Sequence, residues 1–445
     1  MKSIEGFSKL SKKAKLEWVA HNYFENADEL IRELQGYWHG DPKLQKLFDE
    51  FSENTLTNFY IPFNVAPNFL INNKLYAVPM VIEESSVVAA ASRSAKFWKE
   101  RGGFHSEVIS TVKIGQVHFN WKGDFLRLKK FIQAIKPVLI HKAHPITRNM
   151  EKRGGGILDV EPVDMTSFDP DYYQLRCSFE TCESMGANFI NSVLESFAVT
   201  LKEEAIKYPG FAVEERDINI IMCILSNYTP DCLVRTWVEC EIPKLGVIEG
   251  MEPDAFASKF AKAVKIAKVD VYRATTHNKG IMNGIDSVIM ATGNDFRATE
   301  ACGHAYAARN GRYQSLTDVK LINGKFHYSI EVPLALGVIG GLTNLHPLVK
   351  RSLEMLDNPS ARELMMIASA TGLANNFAAV KSMTTVGIQK GHMKMHLLNI
   401  LNQFNATTDE TEKAKEFFKH NVVSYTAVRN FLISIRPSVI ERKKE

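Results

Sequence analysis

The chain has 445 residues, enough for two or more domains that each bury a core of their own. Its 45% hydrophobic and 23% charged content is that of an ordinary soluble globular protein, which excludes a disordered or fibrous chain. With 54 Lys and Arg against 50 Asp and Glu, the net charge of +4 is too slight to argue for nucleic acid and is merely compatible with anionic ligands.

No apolar run reaches the roughly eighteen residues of a membrane span. Val332 to Thr343 comes nearest and is interrupted by glycine and proline. The start, Met1-Lys2-Ser3-Ile4-Glu5-Gly6, lacks the apolar core of a secretory signal, so a cytoplasmic protein without membrane attachment is expected. Six cysteines (Cys177, Cys182, Cys223, Cys232, Cys240, Cys302) show neither a C-x-x-C pair nor zinc spacing. They read as reduced thiols, with no metal site.

In chain order, Lys9 to Glu50 reads as charged and helical, with Leu10, Ala14, Leu16 and Trp18 among its apolar positions. Val78–Ile82 reads as a short buried strand. Ser85 or Ser86 then caps a helix that runs through Val87–Glu100 and stops at Gly102-Gly103. Glu84 thereby sits at a strand-to-helix junction. Val112–Trp121 alternates like a strand, and Phe125–Ile135 has the spacing of an amphipathic helix. Arg153-Gly154-Gly155-Gly156 makes a turn, Leu158–Val163 and Tyr173–Phe179 read as extended, and Asn188–Tyr208 as helix. This order fits a ferredoxin-like α+β module, closed by the apolar run Ile218–Leu225. The expected division is a large domain over residues 1–111 and 221–379, an inserted small domain over 112–220, and a helical C-terminal flap over 380–445.

No G-x-G-x-x-G follows a strand, so a Rossmann domain is not expected. Met185-Gly186-Ala187-Asn188 instead lies at a helix start, where glycine admits close approach and free amides attract a pyrophosphate. Alone, that is an ordinary helix start. The stretch Ala274-Thr275-Thr276-His277-Asn278-Lys279-Gly280-Ile281-Met282-Asn283-Gly284-Ile285-Asp286 sets Lys279 among small and amide-bearing residues, and Asp295 follows in Ala291-Thr292-Gly293-Asn294-Asp295. Such surroundings suit a backbone that approaches a ligand. Alone, Lys279 is a surface cation and Asp295 a helix N-cap. His392 and His396 stand at i, i+4, but without a glutamate in an H-E-x-x-H pattern, so zinc is not expected.

Taken in order, these blocks resemble the catalytic core of 3-hydroxy-3-methylglutaryl-coenzyme A reductase in its bacterial, class II form. The resemblance also runs through Ile61–Phe69, Val78–Ser92, Glu183–Asn188 and Gly387–Met393. It implies a large mixed domain carrying an inserted ferredoxin-like dinucleotide-binding domain, and a cytoplasmic homodimer or higher oligomer with sites at the subunit interface. The implied reaction is reduction of a thioester to an alcohol, releasing mevalonate and coenzyme A, in the mevalonate route to isoprenoids.

Among the residues, Lys279 would stabilise the oxyanion, held by Asp295 with Asn283 and Asn227, and Glu84 would supply a proton to the aldehyde. Glu83 is the adjacent alternative, and register with the family picks Glu84. His392 would protonate the departing thiolate. Ser86 and Arg273 match positions that hold the substrate carboxylate, and His396 a contact to coenzyme A phosphate. Glu183, Met185, Gly186, Ala187 and Asn188 match the dinucleotide loop, although the family often has aspartate where Glu183 stands. The stretch Ile146-Thr147-Arg148-Asn149-Met150 lacks the carboxylate that NADH-using relatives place there, and Arg148 suits a 2′-phosphate, so NADPH is expected over NADH. The competing readings are the same enzyme oxidising mevalonate with NAD⁺, and a non-catalytic acyl-CoA-binding protein of the same fold.

Overall fold

The charged N-terminal stretch forms three helices, two of them started by side-chain caps. In the computed structural model, which describes residues 3–385, 387 and 397–436, these are α1 (Lys12–Tyr23), α2 (Ala27–Gly36) and α3 (Pro42–Asp49). Ser11 Oγ accepts from the Ala14 amide, and Asp41 from the Lys43 amide with Pro42 at the first helical position. Lys12 pairs with Asp49 at 2.7 Å over the Trp38 ring. The chain divides after Phe63 into this unit and a larger one from Asn64 onward.

In the larger unit, β1 (Phe63–Ile71) and β2 (Lys74–Val81) form a hairpin that leads to α4 (Ser85–Lys99). After β3 (His105–Val108) come β4 (Lys113–Asn120), α5 (Phe125–Glu151), β5 (Gly156–Asp164), β6 (Tyr172–Glu180), α6 (Ala187–Lys207) and β7 (Asn219–Leu225). These strands form one antiparallel sheet in the order β5-β6-β4-β7, the element order of the ferredoxin-like motif. Its ladder includes β7 as far as Leu225. Phe131, Leu139, Phe179, Val193 and Phe197 are among the residues of its separate core.

Helix α5 runs sixteen residues beyond the expected Ile135, through Pro137 and Pro145. Leu128, Phe131, Ile132, Ile135, Leu139, Ala143 and Met150 keep one buried face along its whole length. Burial of several large side chains at roughly 1.5–3 kcal/mol each outweighs about 3 kcal/mol per interior proline.

The remaining chain adds β8 (Leu233–Glu241), α7 (Pro253–Val269), α8 (Val271–Ala291), α9 (Phe296–Ala307), β9 (Thr317–Ile322), β10 (Lys325–Pro333), α10 (Pro347–Met355) and α11 (Ala361–Thr384). A second antiparallel sheet, β3-β8-β10-β9, packs against α11, whose residues are buried on almost every side. Ser360 and Glu363 start α11 with a reciprocal capping box. The Gly/Asn-rich block expected to hug a ligand is helix α8, and its Gly284 serves helix packing. A Cβ at Gly284 would stand 2.5 Å from the Thr371 carbonyl oxygen on α11, so only glycine lets the two helices close.

Residues 397–403 are helical and share a small core with α12 (Thr408–Phe417) and α13 (Tyr425–Ile435), built on Leu401, Phe418 and Leu432. The polar break expected at Asn405–Asp409 is a turn with Asn405 at φ 47°, followed by a Thr407–Glu410 capping box. Among the described residues no helix is long and apolar enough to cross a membrane, and all six cysteines are free thiols.

Candidate active site

The end of β2 hands the chain to α4 through Glu84, which occupies the N-cap with φ −96° and ψ 104°. Neither Ser85 nor Ser86 is the cap, because the helix already begins at Ser85. The Ser86 hydroxyl instead donates to Glu84 Oε1. Lys279 projects from α8 so that its Nζ stands 3.8 Å from Glu84 Oε2. Glu83 is exposed and has no part in this ion pair.

Asn283 lies one turn beyond Lys279 on the same side of α8 and is half-buried. His277 is buried in the interior. Burial, with Arg273 and Lys268 nearby, pushes its pKa down to about 3, and Nε2 is bound to Thr317 Oγ1 at 2.6 Å. Arg273 is half-buried against Met383, where loss of solvent works against its charge.

A second cluster gathers beyond the other end of α8. Asp295 caps α9, accepting from the Arg297 and Ala298 amides at 3.0 and 3.2 Å. Its two oxygens also take Nε and Nη2 of Arg297 at 3.2 and 3.1 Å. Partial burial pushes this carboxyl up, but the Ala298 amide and the Arg297 guanidinium outweigh it and hold the group below the usual range.

Asp295 lines a cleft of about 870 Å³ together with Met185, Gly186, Ala187, Asn188 and Arg153. That volume is in the range of small-molecule and cofactor sites. Gly186 caps α6 at φ 88° with no side-chain acceptor, which turns the first-turn amides toward the cleft. A Cβ there would also stand 2.4 Å from Thr181 Cγ2, so the position takes glycine on two counts. These residues fit a dinucleotide pyrophosphate.

Several expected placements differ. Lys279 and Asp295 do not meet within one chain. Twelve residues of helix separate Lys279 from Ala291, a rise of about 18 Å, and Asp295 is bound by Arg297 instead. Asn227 is not beside Lys279 in a shared network; it lies in the β7–β8 connection and lines a small chamber next to Met185. Glu183 does not line the cleft. Its carboxylate accepts from the Ala361 amide at 2.6 Å and its carbonyl from Val338 at 2.8 Å, which ties the loop to the start of α11.

Arg148 rides on the solvent side of α5, because that helix continues to Glu151. The cleft's arginine from this region is Arg153, in the turn that follows. Its place beside Gly154-Gly155-Gly156 was the signal. Arg297 and Asn294, whose Oδ1 accepts from the Gly337 amide at 2.8 Å, also line the cleft and were not anticipated. His392 and His396 lie outside the described residues. If Arg153 receives a 2′-phosphate, Arg153→Ala should raise KM for NADPH about tenfold or more and KM for NADH much less. Arg148→Ala should change neither, and the reverse pattern in steady-state kinetics would return the role to Arg148.

Between the two clusters, on the same side of α8, stands Asp286. Burial first and Glu300 second push its carboxyl up to about 8, and Oδ1 is buried without a partner. An acid raised above its unfolded value binds more protons when folded, so stability falls as pH rises from about 4 toward that value. Asp286→Asn removes this ionisation. Its melting temperature should therefore drop less than that of the parent protein between about pH 5 and pH 8. Parallel curves would show that Asp286 is already ionised.

A family model described as "Hydroxymethylglutaryl-coenzyme A reductase" matches residues 13–397. The chain is 36% identical over 414 residues to the 3-hydroxy-3-methylglutaryl-coenzyme A reductase of Archaeoglobus fulgidus, covering 93% of this chain and 90% of that one. A probable reductase of Borreliella burgdorferi is 29% identical over 98% of both chains. Among solved structures, the reductase of Streptococcus pneumoniae superposes with a TM-score of 0.72 at 33% identity, over 98% of this chain and 100% of the other. A class II structure from the same organism, described as bound to NADPH in open conformations, gives 0.70 at 34% identity over 92% and 99%.

Proposed function

The chain belongs to the hydroxymethylglutaryl-coenzyme A reductase family, in its class II form, and from that premise we propose that it works at a site assembled from two copies of itself. It is an oxidoreductase that reduces the hydroxymethylglutaryl-CoA thioester to mevalonate and releases coenzyme A. NADPH supplies a hydride in each of the two reductive steps, and the absence of a carboxylate from Ile146–Met150 together with Arg153 in the cleft favours it over NADH.

The observation that carries the shared site is the separation of the two clusters along α8. Glu84 and Lys279 stand at one end, and the dinucleotide cleft with Asp295 at the other. A two-fold partner brings its Asp295 to this chain's Lys279 and receives the reverse contact. Lys279, Asn283, Asp286 and Met290 share one side of α8 and run between the clusters, from an exposed lysine to half-buried positions.

In this arrangement Lys279 donates to the carbonyl oxygen as negative charge develops on it, first at the thioester and then at the aldehyde. Asp295 of the second copy replaces its Arg297 contact with Lys279 and fixes the ammonium. Glu84, steadied by Ser86 Oγ, delivers a proton to the aldehyde oxygen. Arg273 and Ser86 hold the substrate's free carboxylate, and Asn283, with Asn227 brought from the cleft side by the second copy, completes the polar surround. His392, on the proposed C-terminal flap, protonates the coenzyme A thiolate, and His396 meets the coenzyme's phosphates. The six free thiols support a reducing compartment, which we take to be the cytoplasm.

The test is to add hydroxymethylglutaryl-CoA to the purified protein and follow NADPH and NADH separately. Two equivalents of NADPH should be consumed per coenzyme A released. A protein that binds the thioester and oxidises neither cofactor would be an acyl-CoA-binding relative.

A further inference from the structure

Lys113 opens strand β4 and is only 3% exposed. Its amino group makes one hydrogen bond, to the Thr111 carbonyl at 3.3 Å, and among the described residues it forms no ion pair. Glu180, on the neighbouring strand β6, is occupied by Thr111 Oγ1 and by the Cys182 amide at 2.7 Å. An ammonium has three protons to donate, and leaving two unmatched in the interior is costly.

The lysine lines an internal chamber of about 20 Å³ with Met185, Asn227, Thr229, Thr299 and Cys302. That volume admits one water-sized polar group. The chamber adjoins the dinucleotide cleft and has Met185 in common with it. Its other walls continue the cleft's own, since Ala298 and Thr299 follow Asp295–Arg297, and Ala335 stands two residues before Gly337.

We propose that Lys113 anchors the nicotinamide end of the bound cofactor, donating to the carboxamide oxygen that enters this chamber. The proposal rests on the reading of the cleft as the NADPH site. The carboxamide is the one polar substituent on the ring, it carries an acceptor, and it presents a group of the right size to an amino group whose one acceptor is the Thr111 carbonyl. A consequence follows from charge. The reduced ring is neutral and the oxidised ring is cationic, so a fixed ammonium nearby favours the reduced form over the oxidised one. Reducing a thioester to an alcohol consumes two NADPH, and the first oxidised cofactor must leave before the second reduced one enters. Lys113 biases that exchange in the productive direction.

The experiment is calorimetric titration of the wild-type protein, Lys113→Met and Lys113→Gln, without substrate. The ligands are NADPH, NADP⁺ and 2′-phospho-ADP-ribose, the last having no nicotinamide. The wild-type protein should bind NADPH about tenfold or more tightly than NADP⁺, and both variants should bring that ratio close to one. Binding of 2′-phospho-ADP-ribose should be the same in all three. Equal or inverted affinities for NADPH and NADP⁺ in the wild-type protein would overturn the proposal, and this holds even where a variant fails to fold. So would variants that weaken NADPH and 2′-phospho-ADP-ribose alike, because Lys113 would then only brace the loop. Failure of the wild-type protein to bind any of the three would overturn the reading of the cleft itself.

Discussion

Lys279→Ala should lower kcat for thioester reduction by about two to three orders of magnitude, the usual loss when one preorganised donor to an oxyanion is removed. The fold should survive, because Lys279 is exposed and its pair with Glu84 at 3.8 Å contributes no more than about 1 kcal/mol to stability. KM should change far less than kcat, since the charge that Lys279 meets exists only as the hydride arrives. Arg273 does not take over. It is engaged by the substrate's free carboxylate and leaves α8 on a different side from Lys279. A variant that keeps wild-type turnover would remove Lys279 from the chemistry and leave the Glu84 pair a surface contact.

The family was legible in the sequence because its blocks occur in order, and several local structures followed from short-range rules. Gly186 does stand at the start of α6 and the apolar alternation of Val112–Trp121 does mark a strand, whereas the cap expected at Ser85 or Ser86 is Glu84. What failed was what depends on tertiary contact. The small residues around Lys279 were read as room for a ligand. In fact Gly284 makes room for α11, a helix that lies far away in sequence. Arg148 was read as the partner of a 2′-phosphate, yet burial of one face carries α5 through Pro137 and Pro145 to Glu151 and leaves Arg148 on its exposed side. Pairing Lys279 with Asp295 was reasonable from their proximity in the chain. The residues from Lys279 to Ala291 are helical, and helical rise turns those twelve positions into a separation of about 18 Å.

That separation makes the sharpest demand on the account, and mixing two inactive variants meets it directly. In a two-fold dimer, Lys279→Ala damages the end of α8 that carries Glu84, and Asp295→Asn damages the end that faces the cleft. Each variant alone has two broken sites. A mixed dimer has one site with both lesions and one with neither. Co-expressed in equal amounts and free to associate at random, the two should form mixed dimers about half the time and recover about a quarter of wild-type activity. The measurement is turnover of hydroxymethylglutaryl-CoA with NADPH by the co-expressed pair, against each variant purified alone. The account predicts recovery to about that level from a nearly silent background. No recovery, with mixed dimers shown to be present, would contradict it and place Lys279 and Asp295 of one chain in the same site.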